Sequence, residues 1–341
     1  MSRKQELSPG QTLDRYQLID VIARSGMATV YRARDVDSAE VIALKVPHFE
    51  CEADLVFHER FLREEQIGQR MDHPAVVKVF RPEQKSRVYL AMEYVEGELM
   101  SEHLAVETRL PEEVALRIAC EIADALVYLH EQQVVHRDLK PANVMIQPNG
   151  NVKLIDFGIA MDTTLRKMTW TRMSHALGTP NYMAPEQIKG LRGDARTDVY
   201  SLGAILYEML TGQVPFPAEN VFAQMRSKLA GNPIPPRELR SDISPEVEEI
   251  ALRALERDPS DRFQSALELR EALAHPKSVR LTDRAARQSH KPRVPRWLHV
   301  PLIVLSVLAA YAISILFFSA IAPWAARGRP AATVPAASPP R

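Results

Sequence analysis

The chain has 341 residues, 46% of them hydrophobic, enough for one large core or two lobes and too much for a bare binding peptide. Lys plus Arg equals Asp plus Glu at 43 each, so no global charge excess draws the protein to nucleic acid or to an acidic surface. Cys51 and Cys120 lie far apart without C-x-x-C spacing, so neither a disulfide framework nor a zinc site is indicated, and a reducing compartment fits best.

The first fifteen residues are polar and charged, with no apolar stretch to serve as a signal peptide, and read as an N-terminal extension. From Tyr16 to Tyr94, β-branched and apolar runs at 18–23, 29–33, 41–46, 76–80 and 88–92 predict short strands, interrupted by a helix around 58–71. That pattern describes a small, mostly antiparallel sheet with one helix, over 16–95. Beyond Glu96 long helices dominate. Between 111 and 130 the residues Val114, Ile118, Ile122, Leu126 and Leu129 recur at helical spacing. A hairpin is expected from 143–146 and 152–155 through Pro148-Asn149-Gly150-Asn151, whose Asn-Gly pair suits positions of positive φ. The fold class is α+β: a β-rich lobe followed by a larger helical lobe over 96–275.

After Pro276 the periodicity fades into a basic linker, 276–297, without a clear apolar face. Residues 300–326 carry no charged side chain, and the apolar run within 298–322 has the length needed to cross a bilayer of about 30 Å at about 1.5 Å per residue. A buried core helix is the alternative, but the run follows a complete-looking domain and exceeds the usual length of such helices. Arg280, Arg284, Arg287, Lys291, Arg293 and Arg296 precede it, whereas Arg327 and Arg329 follow, so the positive-inside rule sets the N-terminal part in the cytoplasm. A single pass through the cell's inner (plasma) membrane is expected, with membrane lipid as a partner. Trp297 and Trp324 bracket the run as interfacial anchors, and the Pro/Ala-rich tail 323–341 is too poor in large apolar residues to fold alone.

The sharpest chemical signal is His136-Arg137-Asp138-Leu139-Lys140-Pro141-Ala142-Asn143, followed by Asp156-Phe157-Gly158. With these two ordered motifs the chain resembles the protein kinase family from about Tyr16 to His275, and in particular its bacterial, receptor-like serine/threonine members. The resemblance implies ATP and Mg²⁺, with Mn²⁺ equally suited to oxygen ligands, and protein substrates that offer Ser or Thr hydroxyls. It makes Asp138 the group that accepts or orients the substrate hydroxyl proton, Asn143 and Asp156 the metal ligands, and Lys140 a neighbour of the γ-phosphate.

Upstream, Ala43-Leu44-Lys45 resembles the strand whose lysine holds the α- and β-phosphates, and the family pattern makes Glu64 its partner, with Glu65 the neighbouring alternative. The segment Ile22-Ala23-Arg24-Ser25-Gly26-Met27-Ala28-Thr29-Val30 stands where the family has a glycine-rich phosphate loop. Ala23, Ser25 and Ala28 replace its glycines and only Gly26 is kept, so each Cβ would cost of order 1 kcal/mol wherever positive φ is required. Val30 and Ala43 are expected to pack on the adenine, and Glu93, Tyr94 and Val95, behind Met92, resemble the hinge.

Gly178-Thr179-Pro180-Asn181-Tyr182-Met183-Ala184-Pro185-Glu186 resembles the end of an activation segment that shapes a peptide platform. Thr179 and Lys140 together indicate Ser/Thr rather than Tyr specificity. Glu186 is expected to pair with Arg262, and Asp198 to brace the catalytic loop. Arg137 resembles the residue that captures an activation-loop phosphate, with Thr169, Thr171 and Ser174 as acceptors for autophosphorylation. A membrane-tethered scaffold without transfer is the competing reading, supported by the glycine-poor loop, and a small-molecule phosphotransferase is a third. The activating input is expected from a partner, from lipids or from homodimerisation.

Overall fold

The structure is a computed structural model and describes residues 7–52, 54–156, 180–282 and 284–289. The chain divides into Met1–Ser289 and His290–Arg341, and the second unit lies outside the described residues. So do Phe157, Gly158, Thr169, Thr171, Ser174 and Thr179, the apolar run 298–322 and the tail. Among the described residues no helix is long and apolar enough to cross a membrane.

The first lobe is a five-stranded antiparallel sheet in sequential order: β1 (Thr12–Leu13), β2 (Tyr16–Arg24), β3 (Ala28–Asp35), β4 (Val41–Pro47) and β5 (Leu90–Glu93). Alternation decides which side chains enter its core: Tyr31, Ala33, Ile42, Leu44 and Val46 cluster with Leu18, Tyr89 and Ala91. After a short turn of helix, α1 (Phe49–Glu52), comes α2 (Leu55–Gly68), which starts earlier than its apolar residues suggest.

The run 76–80 does not become a strand. It divides its backbone bonds between two sheets: Phe80 N donates to Ala91 O (2.8 Å), whereas Val77 N donates to Leu154 O (2.8 Å). Isolated bridges Val79–Met92 and Val76–Leu154 are the result. A segment that changes partner halfway stitches the lobes and forms no ladder of its own.

The second lobe opens with β6 (Glu98–Leu99), α3 (Met100–Val106) and α4 (Glu112–Glu131). Ile118, Ile122, Leu126 and Leu129 of α4 are fully buried, as their spacing predicts, and Val114 packs partly buried at the edge of that core. The hairpin is β7 (Val144–Ile146) and β8 (Val152–Leu154). In its turn only Gly150 has positive φ, at 84°; Asn149 instead accepts from Asn151 N through its side chain at 2.9 Å.

The remaining helices are α5 (Pro185–Ile188), α6 (Ala195–Thr211), α7 (Val221–Ala230), α8 (Pro236–Leu239), α9 (Pro245–Ala254), α10 (Ala266–Ala274) and α11 (Arg284–Ser289). Side-chain caps start four of them: Asp194, Asn220, Ser244 and Ser265 each accept from a first-turn N–H. α6 crosses α9 so closely that a Cβ on Gly203 would meet Ala254 Cβ at 2.5 Å.

Packing continues past His275, where the sequence reads only as linker. Arg284 approaches Glu249 of α9 through Nε at 2.8 Å and Glu256 through Nη1 at 2.7 Å. Its side chain is 14% exposed and that of Glu249 6%, so α11 is fastened to the lobe by partly sealed charge.

Candidate active site

Two antiparallel neighbours place Lys45 centrally on β4, opposite Val30 of β3 and Leu90 of β5. Its Nζ donates to Glu64 Oε1 of α2 at 2.9 Å and to Asp156 Oδ1 at 3.2 Å. Asp156 follows β8, so this contact joins the two lobes. Burial opposes the Lys45 charge, but the Asp156 and Glu64 carboxylates outweigh it and raise its pKa above the ordinary lysine value. Burial dominates at Glu64 and pushes its carboxyl up to about 7 against the pull of Lys45. At Asp156 burial also acts upward, yet the Lys45 charge and hydrogen bonds hold the carboxyl below its usual range. Glu65 is turned elsewhere, accepting from Lys85 and from Gln69 Nε2 (2.9 Å).

A buried carboxylate anchors the catalytic-loop motif. Asp198 of α6 accepts from His136 N (2.8 Å), Arg137 N (2.8 Å) and the His130 ring (2.8 Å). These bonds over-determine a loop in which Arg137 takes φ of 65°, a conformation that costs a side-chain-bearing residue about 1 kcal/mol or more. Beyond that bend the Asp138 side chain is 37% exposed. Lys140 Nζ donates to Asp138 Oδ2 at 2.6 Å, and Asn143 Nδ2 donates to Asp138 O at 2.8 Å and Oδ2 at 3.2 Å. Ile155 N donates to Asn143 O at 3.1 Å, which ties Asn143 to the strand end bearing Asp156.

The donor set suits a hard cation only in part. Asn143 spends its amide N–H on Asp138, so its Oδ1 and the Asp156 carboxylate are the oxygens that would hold such an ion. Among the described residues no cluster of three or more His, Cys, Asp or Glu could hold a metal alone.

The phosphate-loop segment is a tight turn between β2 and β3. Ser25 N donates to Ala28 O (2.9 Å), and Ser25 Oγ accepts from Ala28 N (3.1 Å) and Met27 N (3.3 Å). Ala23, Ser25 and Ala28 all have negative φ, so the strain expected from their Cβ atoms does not arise. The serine hydroxyl does the work of a turn-former, and His48 N extends the ladder by donating to Met27 O (2.8 Å). Ala43, Met92 and Val95 are buried, with Val30 packed against their cluster, while Ile22 is 47% exposed at the rim.

Sequence reading missed Lys153, which donates to both Glu93 oxygens at 2.5 and 2.7 Å and so fixes the hinge side chain from β8. Alternation along β8 could have hinted that Lys153 faces away from its apolar neighbours; its distant partner had no local signal. Arg137 donates through Nε to Arg192 O (3.2 Å). Glu186 accepts from Arg262, and the segment 181–183 is gripped by α6 and α7.

Comparison with known proteins agrees with this geometry. Residues 16–277 match the family model described as protein kinase domain. The chain is 35% identical over 268 residues to serine/threonine-protein kinase PknB of Mycolicibacterium smegmatis, covering 77% of this chain and 43% of the relative. It is 36% identical over 253 residues to serine/threonine-protein kinase PrkC of Bacillus subtilis, covering 74% of this chain and 39% of that one. The chain thus spans about two fifths of the length of these curated relatives. The PknI kinase domain of Mycobacterium tuberculosis superposes with a TM-score of 0.62 at 28% identity, over 80% of this chain and 100% of that structure. With its lobes, its Lys45–Glu64–Asp156 triad and its family match in agreement, the chain belongs to the protein kinase domain family.

Proposed function

We propose that the protein is a serine/threonine protein kinase that transfers the γ-phosphate of ATP to protein hydroxyls. The observation that carries this reading is the convergence of Lys45, Glu64 and Asp156 within 3.2 Å across the lobes, beside an Asp138 already paired to Lys140. Phosphoryl transfer needs alignment and charge neutralisation more than covalent help from protein. Lys45, steadied by Glu64, is suited to hold α- and β-phosphate oxygens. Asp156 and Asn143 are suited to ligate Mg²⁺ or Mn²⁺, which when bound neutralises phosphate charge. Asp138 orients the acceptor hydroxyl and takes its proton, and Lys140 beside it lends positive charge where the γ-phosphoryl oxygens lie. Ile22, Ala23, Val30, Ala43, Met92 and Val95 enclose the adenine, with hinge backbone at Glu93 and Val95 holding its edge. Ser25, Gly26 and Ala28 cover the phosphates.

Lys140, with Thr179, favours Ser and Thr acceptors, and autophosphorylation at Thr169, Thr171 or Ser174, read by Arg137, regulates the enzyme. The 298–322 run anchors it in the inner membrane by one pass with the catalytic unit, 16–275, cytoplasmic. A scaffold without transfer would have no use for the triad, and the turn at Ser25 removes the conformational objection to the phosphate loop.

Transfer of labelled γ-phosphate from ATP with Mg²⁺ by the full chain tests the proposal, alongside Asp138→Asn and Lys45→Met. Label that disappears in both variants supports it, and mapping the label identifies the modified hydroxyls. A wild-type chain that transfers nothing at saturating ATP refutes it.

A further inference from the structure

Lys228 is the anomaly among the helices. It lies on α7 with only 1% of its surface exposed, and no carboxylate among the described residues pairs with it. Instead its Nζ donates to two backbone carbonyls, Asn181 O at 2.5 Å and Met183 O at 2.9 Å. Between them, Tyr182 O accepts from Ser201 Oγ of α6 at 2.9 Å. Three successive carbonyls are therefore satisfied by side chains reaching from two helices, with no strand or helix ladder serving them.

The grip has a second hand on α7. Gln224, one turn before Lys228, is 5% exposed and donates to Asn181 Oδ1 at 2.6 Å and Phe216 O at 3.0 Å. The phenol of Tyr182 is held by Glu208 of α6 at 2.5 Å. Lys228 also lies 5.2 Å from the ring centroid of Tyr200, a residue of α6 that carries Arg262 at 4.9 Å. Burying an amine this deeply is costly, and an apolar side chain would fill the same space without that cost. What an apolar residue could not do is hold two carbonyls of a segment that lacks regular structure.

We propose that Lys228, assisted by Gln224, is a positioning residue for the acceptor peptide, fixing the backbone of residues 181–183 as the surface the peptide lies on. The inference rests on the kinase reading and adds to it the element that sets peptide affinity. Lys228 is on a helix of the second lobe and its partners are all in that lobe, so its effect falls on the acceptor and not on the nucleotide.

The test uses the full chain, ATP with Mg²⁺, and a degenerate peptide pool with a fixed central serine or threonine. A wild-type chain that transfers nothing to the pool refutes the kinase reading itself, before any variant is compared. With an active wild type, Lys228→Met is expected to raise KM for peptide about tenfold, since it strands two buried acceptors, while KM for ATP stays within about twofold. Lys228→Gln, whose amide carries two N–H donors, is expected to recover most of that loss. A Lys228→Met enzyme with unchanged peptide KM, or one in which both KM values rise together, overturns the inference. Should Lys228→Met fail to fold, Gln224→Leu decides: a severalfold rise confined to peptide KM supports the inference, and no change overturns it.

Discussion

Arg262 and Glu186 meet as a two-pronged pair: Nη1 and Nη2 of the guanidinium donate to the two carboxylate oxygens at 2.8 and 2.7 Å. The side chains are 0% and 9% exposed, and Thr197 Oγ1 donates to the same carboxylate at 2.8 Å. Removing one partner leaves the other charge buried and uncompensated. Arg262→Met is expected to lower unfolding free energy by about 3–5 kcal/mol, with Glu186→Gln in the same chain recovering part of it. Urea denaturation of both variants checks this; an unchanged midpoint for Arg262→Met would show that the pair is not holding the lobe.

The phosphate-loop segment invites an experiment in the opposite direction. Because Ala23 and Ala28 sit in strands with negative φ, restoring glycine at either position relieves nothing. Each of Ala23→Gly and Ala28→Gly is expected to destabilise by about 0.5–1 kcal/mol through backbone entropy, with no gain in ATP affinity. Nucleotide titration of the two variants is decisive, since tighter binding by either would mean that the Cβ atoms do obstruct the phosphates.

Glu64 supplies a pH dependence. With its carboxyl pushed up to about 7 by burial, it holds a proton below that value and grips Lys45 less firmly than its carboxylate does. Transfer is therefore expected to increase between about pH 6 and pH 8, and Glu64→Gln to flatten that step at a lower rate. Should kcat/KM for ATP in Glu64→Gln keep the wild-type step, another group titrates.

Lys228 gives a stability signature. Burial pushes its pKa down from the ordinary 10.5 to about 7, so between these values the unfolded chain carries a proton that the folded chain lacks. Stability from this group rises with pH across that window and is lost as pH falls through about 7. Unfolding free energy should climb more steeply from pH 7 to pH 9 in the wild type than in Lys228→Met; parallel curves would place the titration elsewhere.

Local pattern and ordered motifs made much of this molecule readable. The period-2 runs located β2, β3 and β4 to within a few residues, and the helical spacing of Ile118 to Leu129 fixed α4, because the apolar residues of each run pack into a core. His136 to Asn143 and Asp156 stood out because their order is itself the signal. What escaped was decided by partners far away in sequence. The run 76–80 has strand composition but splits its hydrogen bonds between β5 and β8. Lys153 and Lys228 are lysines in amphipathic elements that resemble solvated positions until Glu93 and the 181–183 carbonyls are brought to them. The cost assigned to the missing glycines assumed positive φ, and only the observed turn at Ser25 shows that it is not needed.

The contacts of Arg284 with Glu249 and Glu256 decide where the chain can be cut. A truncation at His275, where the helical periodicity ends, removes the guanidinium and Thr282, which also donates to Glu249 at 2.5 Å. It uncovers a carboxylate that the intact lobe keeps 94% shielded, the complement of its 6% exposure. Such a fragment leaves Glu249 without Arg284 and Thr282, and Glu256 without Arg284. A cut made after Ser289 retains the cover, and the two fragments differ in surface chemistry far more than their lengths suggest.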